Sequence, residues 1–128
     1  MGNVSLEEKM KQLSYQMELL MQSVDWSDRP FEYEVIRANL TRDDVEAFYA
    51  LLEEIRQQQN EQGRYGLSSV EPLLVNFVGM LHPALDAETI LAACVKQQIA
   101  LDVTEPLYRQ VKLLSSVHRP QGGDRPPR

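Results

Sequence analysis

The feature that most constrains this chain is a regular apolar repeat near its N-terminus. Apolar residues recur there at alternating spacings of four and three, in the order Leu6, Met10, Leu13, Met17, Leu20 and Val24. This 3.5-residue period places the three leucines at the d positions of a heptad and the other three residues at its a positions. The segment 5–25 is therefore predicted to form an amphipathic helix, with Ser5 and Glu8 as its capping box. We call these six residues the heptad seam.

The same helix carries a second, weaker stripe that consists of Tyr15, Leu19, Gln22 and Trp26. Two stripes indicate a helix that is covered from two directions. A terminal helix of this kind can pack on its own domain with one face and on a neighbouring subunit with the other. We therefore predict that the heptad seam is an oligomer interface. The alternative is an amphipathic helix that packs only within its own domain.

The rest of the chain contains further segments of helical periodicity, and none shows the sustained two-residue alternation of a half-buried strand. These segments span residues 31–40, 42–62, 73–81, 86–98 and 103–117. We therefore predict an all-α fold of about five to six helices. The segment 73–81 is strongly apolar and is expected to be the most buried element.

Helix-start signals support this division. Thr41 and Asp86 are predicted N-caps, and each follows a leucine that can form a hydrophobic staple across the cap. Pro30 suits the first turn of a helix, with Ser27 or Asp28 near the cap.

Three other positions concern helix ends. Asn39 is a plausible left-handed residue, and Gln98 stands at another turn where glycine would be comfortable. Gly63 is the predicted end of helix 42–62. Ser68 or Ser69 is the predicted cap of the apolar helix.

The chain of 128 residues is predicted to form one helical domain over residues 1–117 and a disordered tail over residues 118–128. The tail contains three of the seven prolines and carries three arginines and one aspartate, a net charge of +2. The preceding residues have 10 basic and 18 acidic side chains, a net charge of −8. An acidic body repels polyanions, so nucleic acid is not expected as its partner.

The side chains offer little for catalysis or metal binding. Cys94 is the single cysteine and lies in an apolar helical segment, and two histidines, His82 and His118, cannot assemble a zinc-type cluster. Acidic neighbours such as Asp43 and Asp44 diverge by about 100° on a helix and suit a cap. We therefore predict no enzyme activity, no catalytic residue, no metal and no cofactor.

The alternative function is that of a helix-turn-helix-like regulator that binds nucleic acid. Short turns join two candidate pairs of helices, 31–40 with 42–62 and 86–98 with 103–117. The last helix offers Arg109, Gln110 and Lys112 to bases or phosphates, which is a thin match to a recognition helix. Helix 42–62 opens with acidic residues, which have the wrong sign for phosphates.

Several segments together resemble a known family. Leu19–Asp25 followed by Arg29-Pro30-Phe31, and the later helix starts Asn39-Leu40-Thr41 and Leu85-Asp86, are similar to the YhaI-like family of small uncharacterised proteins of Bacillus and related Firmicutes. The resemblance covers about residues 6–117. It implies a multihelical cytosolic fold and an intertwined homo-oligomer, such as a trimer, that includes the N-terminal helix. It carries over no catalytic or ligand-binding residue.

These observations predict a cytoplasmic, non-enzymatic protein–protein interaction module that associates first with itself. An additional protein partner would be of unknown identity. The apolar runs are too short to cross a bilayer, and the N-terminus lacks the pattern of a secretory signal, so no membrane is expected as a partner.

Overall fold

The computed structural model describes residues 5–64 and 69–118. These residues form six α-helices and a 3₁₀ turn at Trp26–Asp28, with no strand among them. The helices are α1 (Leu6–Ser23), α2 (Pro30–Arg37), α3 (Arg42–Arg64), α4 (Glu71–Met80), α5 (Ala87–Lys96) and α6 (Leu101–His118). The predicted all-α class is confirmed. The predictions for Ser68 and for residues 119–128 lie outside the described residues.

Helices α2 to α6 surround one hydrophobic core. The most extensive packing joins α5 to α6; α2 packs on α5, α3 packs on α4 and α6, and α4 also packs on α6. Every one of these five helices contributes a fully or almost fully buried side chain, as in Phe31, Phe48, Ile55, Phe77, Ile90, Leu91, Val103 and Leu107. α1 contributes none.

The predicted N-caps at Thr41 and Asp86 are present. The backbone N–H of Asp44 donates to Thr41 Oγ1 at 3.0 Å, and the Thr41 N–H donates back to the Asp44 carboxylate at 2.9 Å. This reciprocal pair satisfies two free amides at the start of α3. Asp86 Oδ2 accepts from the backbone N–H and the hydroxyl of Thr89 at 3.0 and 2.8 Å.

The start of α2 differs from the prediction. Its N-cap is Arg29, without a side-chain cap bond, rather than Ser27 or Asp28, although Pro30 does occupy the first turn. The Phe31 N–H instead donates to the side-chain oxygen of Gln97 at 2.6 Å. Local spacing could not indicate this cap, because its acceptor comes from the end of α5.

α2 and α5 end in the same motif. After α2, the N–H of Leu40 donates to the Val35 carbonyl and that of Asn39 to the Ile36 carbonyl, both at 3.0 Å. After α5, Ile99 and Gln98 form the equivalent two bonds. Asn39 and Gln98 have φ angles of 57° and 60°, the left-handed conformation that this motif requires. The interpretation of these two turns is confirmed.

A polar cluster fastens α3 to α6 at a proline. Pro106 lies inside α6 and has no N–H for the Asp102 carbonyl one turn earlier. The Gln59 side chain of α3 donates to that carbonyl at 3.2 Å. Beside it, Arg56 bonds both Asp102 carboxylate oxygens, at 2.6 and 2.9 Å, and also pairs with Glu53.

Several predicted helix ends shift by a few residues. α3 continues through Gly63 to Arg64, since glycine inside a helix costs only about 1 kcal/mol relative to alanine. α1 ends at Ser23, not at residue 25, and α6 includes His118. Val70 precedes α4 as an N-cap without a side-chain bond, so Ser69 does not cap this helix.

The expectation that segment 73–81 is the most buried element is wrong. Leu73, Leu74 and Phe77 are buried against α3 and α6. On the other side of α4, the large apolar side chains Val75, Val78 and Met80 are exposed. Apolar composition indicated burial all round, but the helix lies at the edge of the core.

The left-handed turn after α5 makes a prediction about stability. Replacing Gln98 by glycine should raise the free energy of unfolding by about 0.5–1 kcal/mol, because only glycine adopts positive φ without a steric penalty. Urea denaturation measures this change. The matched control is Gln57→Gly in the exposed interior of α3, which should lower stability by about 1 kcal/mol. A loss of stability in Gln98→Gly would contradict the prediction.

The pair between Arg56 and Asp102 makes a second prediction. The hydrogen bonds from Arg56 hold the pKa of Asp102 below its usual range. A carboxylate whose pKa is lowered by folding stabilises the protein above its unfolded pKa, and loses this effect as the pH falls through its folded pKa. Asp102→Asn should therefore lower stability by less than about 1 kcal/mol at neutral pH, because the pair is exposed.

The difference between Asp102→Asn and the native chain should vanish in acid, as measured by urea denaturation across the pH range. Glu54→Gln removes the same charge from an exposed position on α3 and should give a smaller difference at neutral pH. A difference for Asp102→Asn that stays constant into strong acid would show that the charge is not responsible.

Candidate association surface

The heptad seam lies along one side of α1 and is exposed. Its first five residues are in the helix, and Val24 follows as the extended C-cap. The six side chains are 43–75% exposed. All six predicted interface residues are therefore exposed to solvent in the single chain.

The part of the second stripe that lies on α1 is also uncovered. Tyr15 and Leu19 are exposed, Gln22 is exposed as well, and Trp26 lies beyond the helix in the 3₁₀ turn. Every residue from Leu6 to Leu20 is exposed. The expectation that one face of α1 packs on its own domain is therefore not met in the single chain.

Trp26 joins the end of α1 to the rest of the domain. Its ring nitrogen Nε1 donates to the Met21 carbonyl at 3.1 Å, which is one of the carbonyls that the last turn of a helix leaves free. The centroid of its ring lies 6.2 Å from that of Tyr33 in α2. This contact holds the C-terminal end of α1, while the seam stays exposed.

A separate cleft opens beside Trp26. It has a volume of about 590 Å³ and lies among the 3₁₀ turn, α2, α5 and α6. Trp26, Tyr33 and Tyr108 supply its aromatic walls, and Ala92 and Ala93 are among the α5 residues that line it. Sequence reasoning missed this cleft, because its aromatic residues are far apart in the chain and share no local pattern.

Carboxylates give the cleft an acidic side. Glu34 is buried and bonds Arg37 through Oε1 at 2.9 Å. Asp86 bonds Thr89 through Oδ2. Glu88 bonds Lys112 at 3.3 Å and Ser115 at 3.1 Å. Lys96 is the basic residue of the lining.

The residues considered for chemistry have structural contacts. Asp44 caps α3, and its bond from the Thr41 N–H lowers its pKa. His82 accepts from the Ala84 N–H through Nδ1 at 3.0 Å, a contact within the turn that follows α4. Its Nε2 lies 3.8 Å from Asp44 Oδ2.

Residues 5–64 and 69–118 contain no group of three or more His, Cys, Asp or Glu residues placed to hold a metal ion. Within the same ranges, no helix has both the length and the apolar character that crossing a membrane requires.

The comparison with known families supplies the identification. The model of a family described as protein of unknown function (DUF1878) matches residues 4–112. The match includes the whole of α1 to α5 and most of α6, so the chain belongs to this family. The heptad seam and the cleft both lie inside the matched region, and residues 119–128 lie outside it. No solved structure matches the chain.

The buried thiol makes a prediction. Cys94 is fully buried, and burial raises its pKa to about 12. Because only the thiolate attacks disulfides, the native protein near neutral pH should react with an aromatic disulfide reagent at least about a hundredfold more slowly than the unfolded chain. Absorbance of the released thiol measures the rate in buffer and in guanidinium chloride. A fast native reaction would contradict the packing described for α5.

Proposed function

We propose that this protein is a non-enzymatic, self-associating module whose α1 helices pack against one another through the heptad seam. The observation that carries the proposal is the exposure of all six seam side chains in the single chain. A regular apolar seam on a helix is the pattern by which helices associate in coiled coils.

The free energy of burial favours such an assembly. Complete burial of one large apolar side chain contributes about 1.5–3 kcal/mol. Each seam residue is roughly half exposed, so each has about 1 kcal/mol still to contribute on contact with another chain. Since most of the stability of a helix in a protein comes from packing of its amphipathic face, association would also stabilise the conformation of α1.

The resemblance in the first helix and the helix starts supports a closer placement of the protein. We infer that it is a YhaI-like member of the family, from Bacillus or a related bacterium, and that it acts in the cytoplasm. The same resemblance supports an intertwined homo-oligomer, with a trimer as the expected stoichiometry.

Positive observations support a non-enzymatic role. The one thiol is buried in α5, and burial raises its pKa. Asp44 and Asp86 are engaged as helix caps, and Glu53 pairs with Arg56. Groups with such structural partners are poorly placed to serve as general acids or bases.

The geometry gives less support to the alternative, a helix-turn-helix-like regulator. On α6, Arg109 lies 3.9 Å from Glu105, and Lys112 lies 3.3 Å from Glu88. These carboxylates would face the phosphates together with the two basic side chains. Binding of nucleic acid depends on an uncompensated basic surface.

Charges in the seam should dissociate the assembly. The double variant Leu13→Asp, Leu20→Asp places two carboxylates at d positions, where they repel one another and lose apolar contact. Sedimentation equilibrium should show a homo-oligomer for the native chain and a shift towards the monomer for this variant. Since both leucines are exposed in the single chain, the core of α2 to α6 should be retained.

The matched control is Gln12→Asp, Gln22→Asp, which adds the same charge to exposed α1 positions outside the seam. It should remain oligomeric. A monomeric native chain at micromolar concentration would overturn the proposal, as would equal dissociation of both variants. Salt-dependent binding of duplex DNA by the native chain would favour the regulator instead.

A further inference from the structure

The cleft beside Trp26 has the chemistry of a peptide-binding groove. Pro30, Tyr33 and Tyr108 line it together with Trp26, so that three aromatic rings and a proline ring contribute to its surface. Aromatic-lined grooves bind proline-rich segments, whose extended conformation is largely preformed.

Two carboxylates of the cleft can accept hydrogen bonds from a basic partner. Asp86 uses Oδ2 for both of its bonds to Thr89, and Glu34 uses Oε1 for Arg37. Within the described residues this leaves Asp86 Oδ1 and Glu34 Oε2 as acceptors, and an arginine fork can bond such oxygens. An occupant that combines proline with arginine therefore fits the lining.

Residues 119–128 of this chain have that composition. Their sequence is Arg-Pro-Gln-Gly-Gly-Asp-Arg-Pro-Pro-Arg, with a net charge of +2. The body that carries the cleft is acidic. The two adjacent glycines permit a reversal of the chain direction, because glycine adopts positive φ readily.

The segment is also long enough to reach the cleft. It follows α6, in which Tyr108 lies ten residues before His118, a helical distance of about 15 Å. Ten extended residues span up to about 33 Å. A second groove of about 480 Å³ lies along α6 from Tyr108 to Ser116 and shares Tyr108 with the lining of the cleft.

We propose that residues 119–128 dock in the aromatic cleft of their own chain, with Pro126 and Pro127 against the Trp26 and Tyr33 rings and an arginine on the carboxylate side. The docked segment lies next to the contact that holds the end of α1. The docking site is separate from the heptad seam, so this inference does not rest on self-association.

Trp26 reports directly on the site, because it is the single tryptophan of the chain. The host is the full chain with Arg125, Pro126, Pro127 and Arg128 all replaced by alanine. A synthetic peptide of residues 119–128 is titrated into it, and Trp26 fluorescence is recorded. We expect a saturable change, which a peptide with glutamate in place of Arg125 and Arg128 does not produce.

Two tyrosine substitutions in the same host locate the binding. Tyr33→Ala should weaken peptide binding by about tenfold or more, because it removes one wall of the cleft. The matched control is Tyr49→Ala on α3. Its side chain is 45% exposed, against 37% for Tyr33, and lies outside the cleft. Tyr49→Ala should leave the affinity unchanged.

A comparison with the native chain tests docking within one molecule. Its own segment competes, so the native chain should bind the added peptide more weakly than the host does, and its initial fluorescence should resemble that of the peptide-saturated host. Addition of Leu13→Asp and Leu20→Asp to the host should leave peptide binding intact.

Several results would overturn the proposal. They are an unchanged Trp26 signal at saturating peptide, equal losses in Tyr33→Ala and Tyr49→Ala, and equal affinity of the native chain and the host. Loss of binding in the seam variant would instead indicate that the cleft is occupied across a subunit interface, and would also contradict docking within one chain.

Discussion

The turn between α5 and α6 is the constraint on which most of the fold depends. Gln98 adopts the left-handed conformation that ends α5, and Ala100 follows with a positive φ of its own. The side chain of Gln97 caps α2, while the buried Thr104 hydroxyl donates to the Ile99 carbonyl at 2.9 Å. The two residues with positive φ are held in place because their neighbours satisfy the start of α2 and the end of α5 at once. The largest helix–helix contact, between α5 and α6, follows from this turn.

α1 differs from helices α2 to α6, which share one hydrophobic core. Its capping and its hydrogen bond to Trp26 are local, and they define where the helix begins and ends. Its apolar side chains are not buried within the part of the chain that the structure describes. The ends of α1 are hydrogen-bonded, but its apolar seam is exposed. This is what we expect of a helix that mediates association, because its apolar side chains gain their free energy of burial only on contact with another surface.

Local patterns predicted much of the fold. The capping residues Thr41 and Asp86 and the left-handed Asn39 are decided within four or five residues, so that spacing alone identified them. Some features escaped local reasoning because they depend on a distant group. Gln97 replaces the expected cap of α2. Gln59 satisfies the carbonyl that Pro106 leaves free in α6, a contact for which the sequence offered no local pattern. The outer side of α4 is exposed because hydrophobic content does not specify how many neighbours a helix has.

The sequence by itself determined the helical class, most helix starts and the seam of α1, because each depends on periodicity and on hydrogen bonds between near neighbours. Tertiary structure alone decided that this seam faces away from the body and that three aromatic residues from separate elements, Trp26, Tyr33 and Tyr108, line one cleft. The physical reason is the distance over which each interaction acts. Capping energies act over one helical turn, whereas exposure and cavities result from how whole helices pack.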